Sequence, residues 1–101
     1  MVSSVEYKDF MLNQLSLLNN ITTKKMMGEY LLYCDGLLFG GIYDDRLLVK
    51  KTKTNEKVKM EEQLPYKGAK PMYFVEDVDD KKLLKKIVNE TCKGYKKGGE
   101  L

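Results

Sequence analysis

An Asp-Gly pair at residues 35–36 separates two apolar runs, Glu29 to Cys34 and Leu37 to Tyr43. A two-residue type I′ hairpin needs positive φ at both central positions, and Asp-Gly supplies it at little cost. The pair therefore predicts a tight antiparallel hairpin. Ile21 to Met27, rich in β-branched residues and ending at Gly28, reads as the strand before it. Asp44-Asp45 predicts a further turn into a strand over Arg46 to Lys51. Strands joined by links this short are antiparallel neighbours, because a parallel pair needs a crossover of about a dozen residues.

Helical patterns flank this block. Ser3 and Glu6 have capping-box spacing, and Tyr7, Met11, Gln14, Leu15 and Leu18 follow at helical intervals, predicting a helix over residues 4–19. Thr54 or Asn55 is placed to cap a short helix over residues 55–62. Leu64 to Pro71, with two prolines and a glycine, reads as a loop, and Met72 to Val75 as a strand. Asp79 is placed to cap a last helix over residues 80–94, with Leu84, Ile87, Val88, Thr91 and Tyr95 on one face. The expected class is α+β, in the order α-β-β-β-β-α-β-α, with about five strands. One domain is expected over residues 1–95, and a frayed tail over residues 96–101.

With 101 residues, 43% of them hydrophobic and 33% charged, the chain has the makings of one packed domain. No apolar run nears the roughly 20 residues of a membrane span. The first residues lack the basic-then-apolar pattern of a secretory signal, so the expectation is a cytoplasmic protein without membrane contact. The two cysteines, Cys34 and Cys92, are far apart in sequence and read as reduced, partly buried thiols. Without histidine or a Cys-x-x-Cys pair, neither a zinc site nor a Ser-His or Cys-His nucleophile is expected. No cofactor is expected either, since no phosphate-binding loop is present. A net charge of +3 is mild for a dedicated nucleic-acid module.

Binding candidates are few. Lys82, Lys85, Lys86, Lys93 and Lys96 make a basic face on the last helix, where cations could meet phosphates with Tyr95 beside them. Ordinary solvation explains the same row, and Arg46 is the single arginine. Gly40-Gly41 inside a strand marks a bulge or a close approach; packing of the first helix across it is the simpler account, a ligand site the sharper one. For such a site near Gly28, Gly40 and Gly41, the polar candidates are Glu29, Asp44, Asp45 and Arg46. The acidic pairs Asp44-Asp45, Glu61-Glu62 and Asp79-Asp80 are accounted for by turns and caps. Along the second strand, Tyr30 and Leu32 face away from Leu31 and Tyr33, so one set belongs to the core and the other to the surface.

Lys25-Met26-Met27-Gly28-Glu29-Tyr30, then Tyr33, Asp35-Gly36, Phe39-Gly40 and Ile42-Tyr43-Asp44, resembles the N-terminal domain of the TfoX/Sxy family. The likeness extends over about residues 4–92 and takes in Tyr66-x-Gly68 and the strand at Met72. It implies a curved antiparallel sheet with helices, similar to secretion-chaperone-like domains. It also implies a bacterial regulator of competence and DNA uptake, working with the cyclic-AMP receptor protein. No catalytic residues come with the resemblance. The leading expectation is a non-enzymatic interaction module whose partner is another protein, such as a transcription regulator, or a second copy of itself. Met26, Met27, Gly28, Tyr30, Tyr33, Asp35, Gly36, Phe39, Gly40, Tyr43 and Asp44 are the candidate surface. Direct nucleic-acid binding through the basic helix and a small-molecule site are the alternatives.

Overall fold

The computed structural model describes residues 3–96, the side chains of residues 95 and 96 excepted. Helix α1 (Val5–Gln14) leads into strands β1 (Ile21–Met26), β2 (Glu29–Cys34), β3 (Leu37–Ile42) and β4 (Leu47–Val49). Then come β5 (Glu61–Gln63), β6 (Met72–Phe74) and α2 (Lys81–Lys96). The sheet is antiparallel throughout, in the order β1-β2-β3-β4-β6-β5. The class is α+β, as expected.

Three tight hairpins build the first four strands. Met26 pairs with Glu29 and Cys34 with Leu37, while Tyr43 and Arg46 exchange backbone bonds of 2.9 and 3.0 Å. Each leaves two residues in the turn, and all six have positive φ: Met27 and Gly28 at 52° and 85°, Asp35 and Gly36 at 51° and 79°, Asp44 and Asp45 at 53° and 54°. That is the signature of a type I′ turn, whose twist matches that of the flanking strands. Met27 therefore belongs to a turn, not to the first strand.

The short helix over residues 55–62 is absent; its last two residues begin strand β5, paired with β6. Asn55 does not cap a helix because its side chain is spent elsewhere. Fully buried, its amide accepts from Thr52 N at 2.9 Å and donates to Lys50 O and Thr91 Oγ, both at 2.8 Å. The turn so formed hands Glu61–Gln63 to the open edge of β6, where backbone pairing outweighs the low strand preference of glutamate. The sheet thus has six strands, one more than expected.

Helix boundaries also move. Ser4, not Ser3, caps α1, its Oγ accepting from Tyr7 N at 3.0 Å. The helix stops at Gln14, short of residue 19, and single turns carry the chain to Asn20 at φ 61°. Asp80, not Asp79, caps α2, accepting from Leu83 N at 3.0 Å. α2 is described as far as residue 96; the rest of the expected tail, like the side chains of Tyr95 and Lys96, lies outside the described residues.

Both helices pack on one face of the sheet. Tyr30, Leu32, Cys34, Ile42, Leu47, Val49 and Tyr73 meet Met11 of α1, Leu15 at its C-terminal cap, and Leu84, Ile87 and Val88 of α2 in one cluster. The set on β2 containing Tyr30 and Leu32 is thus the core one. Cys34 and Cys92 are both in this cluster, buried, and neither is in a disulfide. A bulge between Leu32 and Tyr33 leaves Phe39 as the extra residue of β3, 1% exposed.

Alternation places the intervening residues of each strand on the other, helix-free face. Across it the register sets Lys24, Leu31, Gly41, Leu48, Phe74 and Glu61 in one row. Leu48 is fully buried although it lies outside the helix-side cluster.

Candidate functional site

The hairpin turns at Met27-Gly28 and Asp44-Asp45 lie at the same end of the sheet, because β2 and β3 each run the length of the ribbon between them. The N-terminal segment ties them together. Ser3 Oγ donates to Glu29 Oε1 at 2.7 Å and accepts from Asp45 N at 3.0 Å, while Ser3 N donates to Gly28 O at 3.1 Å. Ser4 N donates to Asp45 Oδ1 at 2.8 Å. Glu29 also receives Asp44 N, at 3.2 Å to each carboxylate oxygen. This explains the acidic residues: Glu29 satisfies a backbone donor of the Asp44-Asp45 turn, and Asp45 a backbone donor of the N-terminal segment.

The loop of residues 64–71 joins β5 to β6, and Arg46 anchors its start. The guanidinium donates to Gln63 Oε1 at 2.8 Å, Leu64 O at 3.2 Å and Pro65 O at 3.4 Å, and its Nε to Tyr43 O at 3.2 Å. A planar group with five donors suits this task, since it grips the end of β5 and two carbonyls of the loop while fixed to the turn it grows from. Tyr66 is thereby held beside Tyr43, ring centroids 6.4 Å apart and tilted by 50°. Burial first, then Tyr66, Glu29 and Tyr33, push the Tyr43 phenol above its ordinary pKa.

A cleft of about 610 Å³ opens between these parts, lined by Met26 and Met27, Glu29, Tyr43 and Asp44, Arg46, and Leu64 to Lys67. Its rim is apolar and exposed. Met27 is 92% exposed, Met26 45%, Leu64 48% and Tyr66 63%. With Glu29 and Arg46 committed to the scaffold, Asp44 and Lys67 are the charged groups left to meet a ligand.

The structure therefore gathers part of the expected surface. Met26, Met27, Tyr43 and Asp44 line the cleft, with Gly28 in the adjoining turn. Tyr30 and Phe39 are core residues, Asp35-Gly36 closes the opposite end of the β2–β3 hairpin, and Tyr33 is half-buried on the helix-free face. Gly40 and Gly41 do not receive α1. A Cβ on Gly40 would strike the Leu48 carbonyl and lie 2.9 Å from Val49 Cα, so the close approach is by the backbone of β4. A Cβ on Gly41 would lie 2.7 Å from both Tyr30 O and the Tyr43 ring, which therefore lies over Gly41.

Residues 64–67 were missed as part of the site. Their signals are an aromatic residue after proline and the Tyr66-x-Gly68 spacing, and nothing local says where that loop folds. Lys82, Lys85, Lys86 and Lys93 are exposed on α2, apart from the cleft. On that helix Glu90 is held below the usual carboxylate range, mainly by a hydrogen bond from Lys57, whose Nζ lies 3.1 Å away. Among the described residues no helix is long and apolar enough to cross a membrane.

The family model for the TfoX N-terminal domain matches residues 13–95. A protein of Spirochaeta aurantia, called an uncharacterized 12.7 kDa protein in the trpE 5′ region, is 30% identical over 80 residues, covering 77% of this chain and 70% of that one. The match takes in both turns, the anchored loop and the helix packed behind them, and the chain belongs to the TfoX N-terminal domain family.

Proposed function

We propose that the chain is a non-enzymatic, cytoplasmic protein-interaction module that grips another protein through the Met27 cleft. The partner is of the transcription-regulatory kind suggested by the competence-related members of the family. The observation that carries this reading is Met27. It sits at φ 52° and 92% exposed, so neither backbone preference nor burial accounts for it. A left-handed non-glycine residue costs on the order of 1–2 kcal/mol, and such outliers gather at functional sites. A long, soft thioether adapts to the contours of a partner, and Met26, Leu64 and Tyr66 extend the apolar rim beside it.

The test is Met27→Gly, since glycine suits the turn and removes the side chain. The folded chain should gain roughly 1 kcal/mol, a rise in Tm of a few degrees. Affinity for a partner recovered with the native chain, purified and titrated by calorimetry, should fall about tenfold, and again with Tyr66→Ala. Unchanged affinity in both variants would remove the cleft from the interface. Detection of turnover by the pure polypeptide would end the non-enzymatic reading.

A further inference from the structure

The edge strand β1 is six residues long, and Thr22, Lys24, Lys25 and Met26 on it are exposed. Met26 and Glu29 flank a two-residue turn and so form a hydrogen-bonded pair. In an antiparallel ladder such pairs alternate with pairs whose backbone groups point away from each other. Thr22 and Lys24 therefore bond to β2, while the N–H and C=O groups of Ile21, Thr23 and Lys25 point out of the sheet. Among the described residues no group meets them. Lys24 lies on the helix-free face, opposite Leu31, and Lys25 on the helix side, opposite Tyr30, so the edge carries a cation on each face. Among the described residues neither lysine is in an ion pair. The other edge differs: β5 is three residues long, and its Glu62 is held by Lys51 at 3.0 Å.

We propose that the β1 edge binds an extended acidic segment of another protein by strand addition. The segment's backbone pairs with Ile21, Thr23 and Lys25, and two adjacent carboxylates meet Lys24 and Lys25. An open edge is a template for a further strand; main-chain bonds supply the affinity and side chains select the partner. Adjacent residues of an added strand point to opposite faces, as the two lysines do. Opposite charges across the pair stabilise it and like charges oppose it, so the same lysines reject the β1 strand of a second copy. The β5 strand of a second copy is acidic, but it is short and one of its carboxylates is already held. The proposal is independent of the protein-docking role of the Met27 cleft.

NMR titration of the isotope-labelled chain tests it, with a peptide of about eight residues, long enough to span β1, in which threonine and valine alternate around two adjacent glutamates. Binding should be saturable, with the largest amide shifts and the greatest slowing of hydrogen exchange at Ile21, Thr23 and Lys25. Lys24→Glu with Lys25→Glu should weaken binding about tenfold. A peptide with lysines in place of the glutamates should then bind that variant and not the native chain. Thr23→Pro removes an outward donor that β2 does not use, at a kind of position where an edge strand accepts proline, and should also weaken binding. Lys85→Glu with Lys86→Glu, on α2, should leave it unchanged, with circular dichroism confirming that each variant is folded. The glutamate peptide N-methylated on the amides that face the edge should not bind, a control that needs no variant. The proposal is overturned if the native chain shows no shifts along β1, or if charge reversal does not exchange the preferred peptide. It is also overturned if the N-methylated peptide binds as tightly, since charge alone would then explain the attraction. Self-association of the native chain through β1, read by sedimentation velocity, would overturn it too, because a second copy would then be the occupant.

Discussion

Gly40 shows how one missing side chain can set a whole sheet. Its own strand is bulged at Phe39, and the β4 backbone closes in until a Cβ would overlap the Leu48 carbonyl. Neither neighbour is a flexible side chain, so Gly40→Ala must displace backbone. A loss of about 2–4 kcal/mol in urea unfolding is expected, against less than about 1 kcal/mol for an exposed turn substitution. Tyr43 makes a second prediction. Burial raises its phenol pKa, so the folded chain keeps this proton where the unfolded chain, near pH 10, has begun to lose it. The stabilisation is fully present below about pH 10 and is lost as pH rises through the raised folded value. Burial raises the Tyr7 phenol as well, so an alkaline ultraviolet titration should show late tyrosinate absorbance that Tyr43→Phe reduces and Tyr43→Phe with Tyr7→Phe removes, and an unchanged late amplitude in Tyr43→Phe would refute the assignment.

Among the elements, α2 depends on a polar knot as well as on its apolar stripe. Asn55 joins the turn after β4 to the helix through Thr91, whose Oγ donates to Ile87 O at 2.7 Å, and Thr54 Oγ donates to Glu90 O. Asn55, Thr52 and Thr91 are each fully buried, and a Cβ on Gly94 would press on Thr52 and Thr54. Asn55→Ala removes the acceptor of the buried Thr52 N and the amide bonds to Lys50 O and Thr91 Oγ, which predicts a cost of about 2–4 kcal/mol. A cycle with Thr91→Ala should give a coupling of more than about 0.5 kcal/mol, and additivity would show that the two side chains act separately. The same knot explains why the segment read as a helix is a turn and a strand. Thr54 and Asn55 do look like cap residues, and only the position of α2, more than thirty residues later, gives the asparagine amide something else to bind.

At the level of the molecule, β1 and β5 are the open edges of the sheet. Lys24 and Lys25 are exposed on β1, and Glu61 and Glu62 on β5, a disposition that discourages edge-to-edge pairing. Lys24→Val with Lys25→Val should drive self-association visible in sedimentation velocity, and a variant that keeps the native sedimentation coefficient would show that charge is not what guards this edge. Two of the three hairpin turns were legible residue by residue, because a type I′ turn is decided by the backbone freedom of two positions, and the third, at Met27-Gly28, was legible only as a short link. Asp35-Gly36 and Asp44-Asp45 announced theirs, and the alternation on β2 separated Tyr30 from Tyr33 before any coordinates. The cleft was legible only in halves: Met26, Met27, Tyr43 and Asp44 carry a recognisable pattern, whereas Tyr66 and Lys67 join them because Arg46 grips a distant loop. Local chemistry thus determined the turns at Asp35-Gly36 and Asp44-Asp45, the strand order up to β4 and the division of the ribbon into two faces, and packing chose which face is inward. The sixth strand, the cover over Leu48 and the meeting of the two site halves were decided by tertiary packing, since each rests on hydrogen bonds and burial between residues that sequence distance hides from one another.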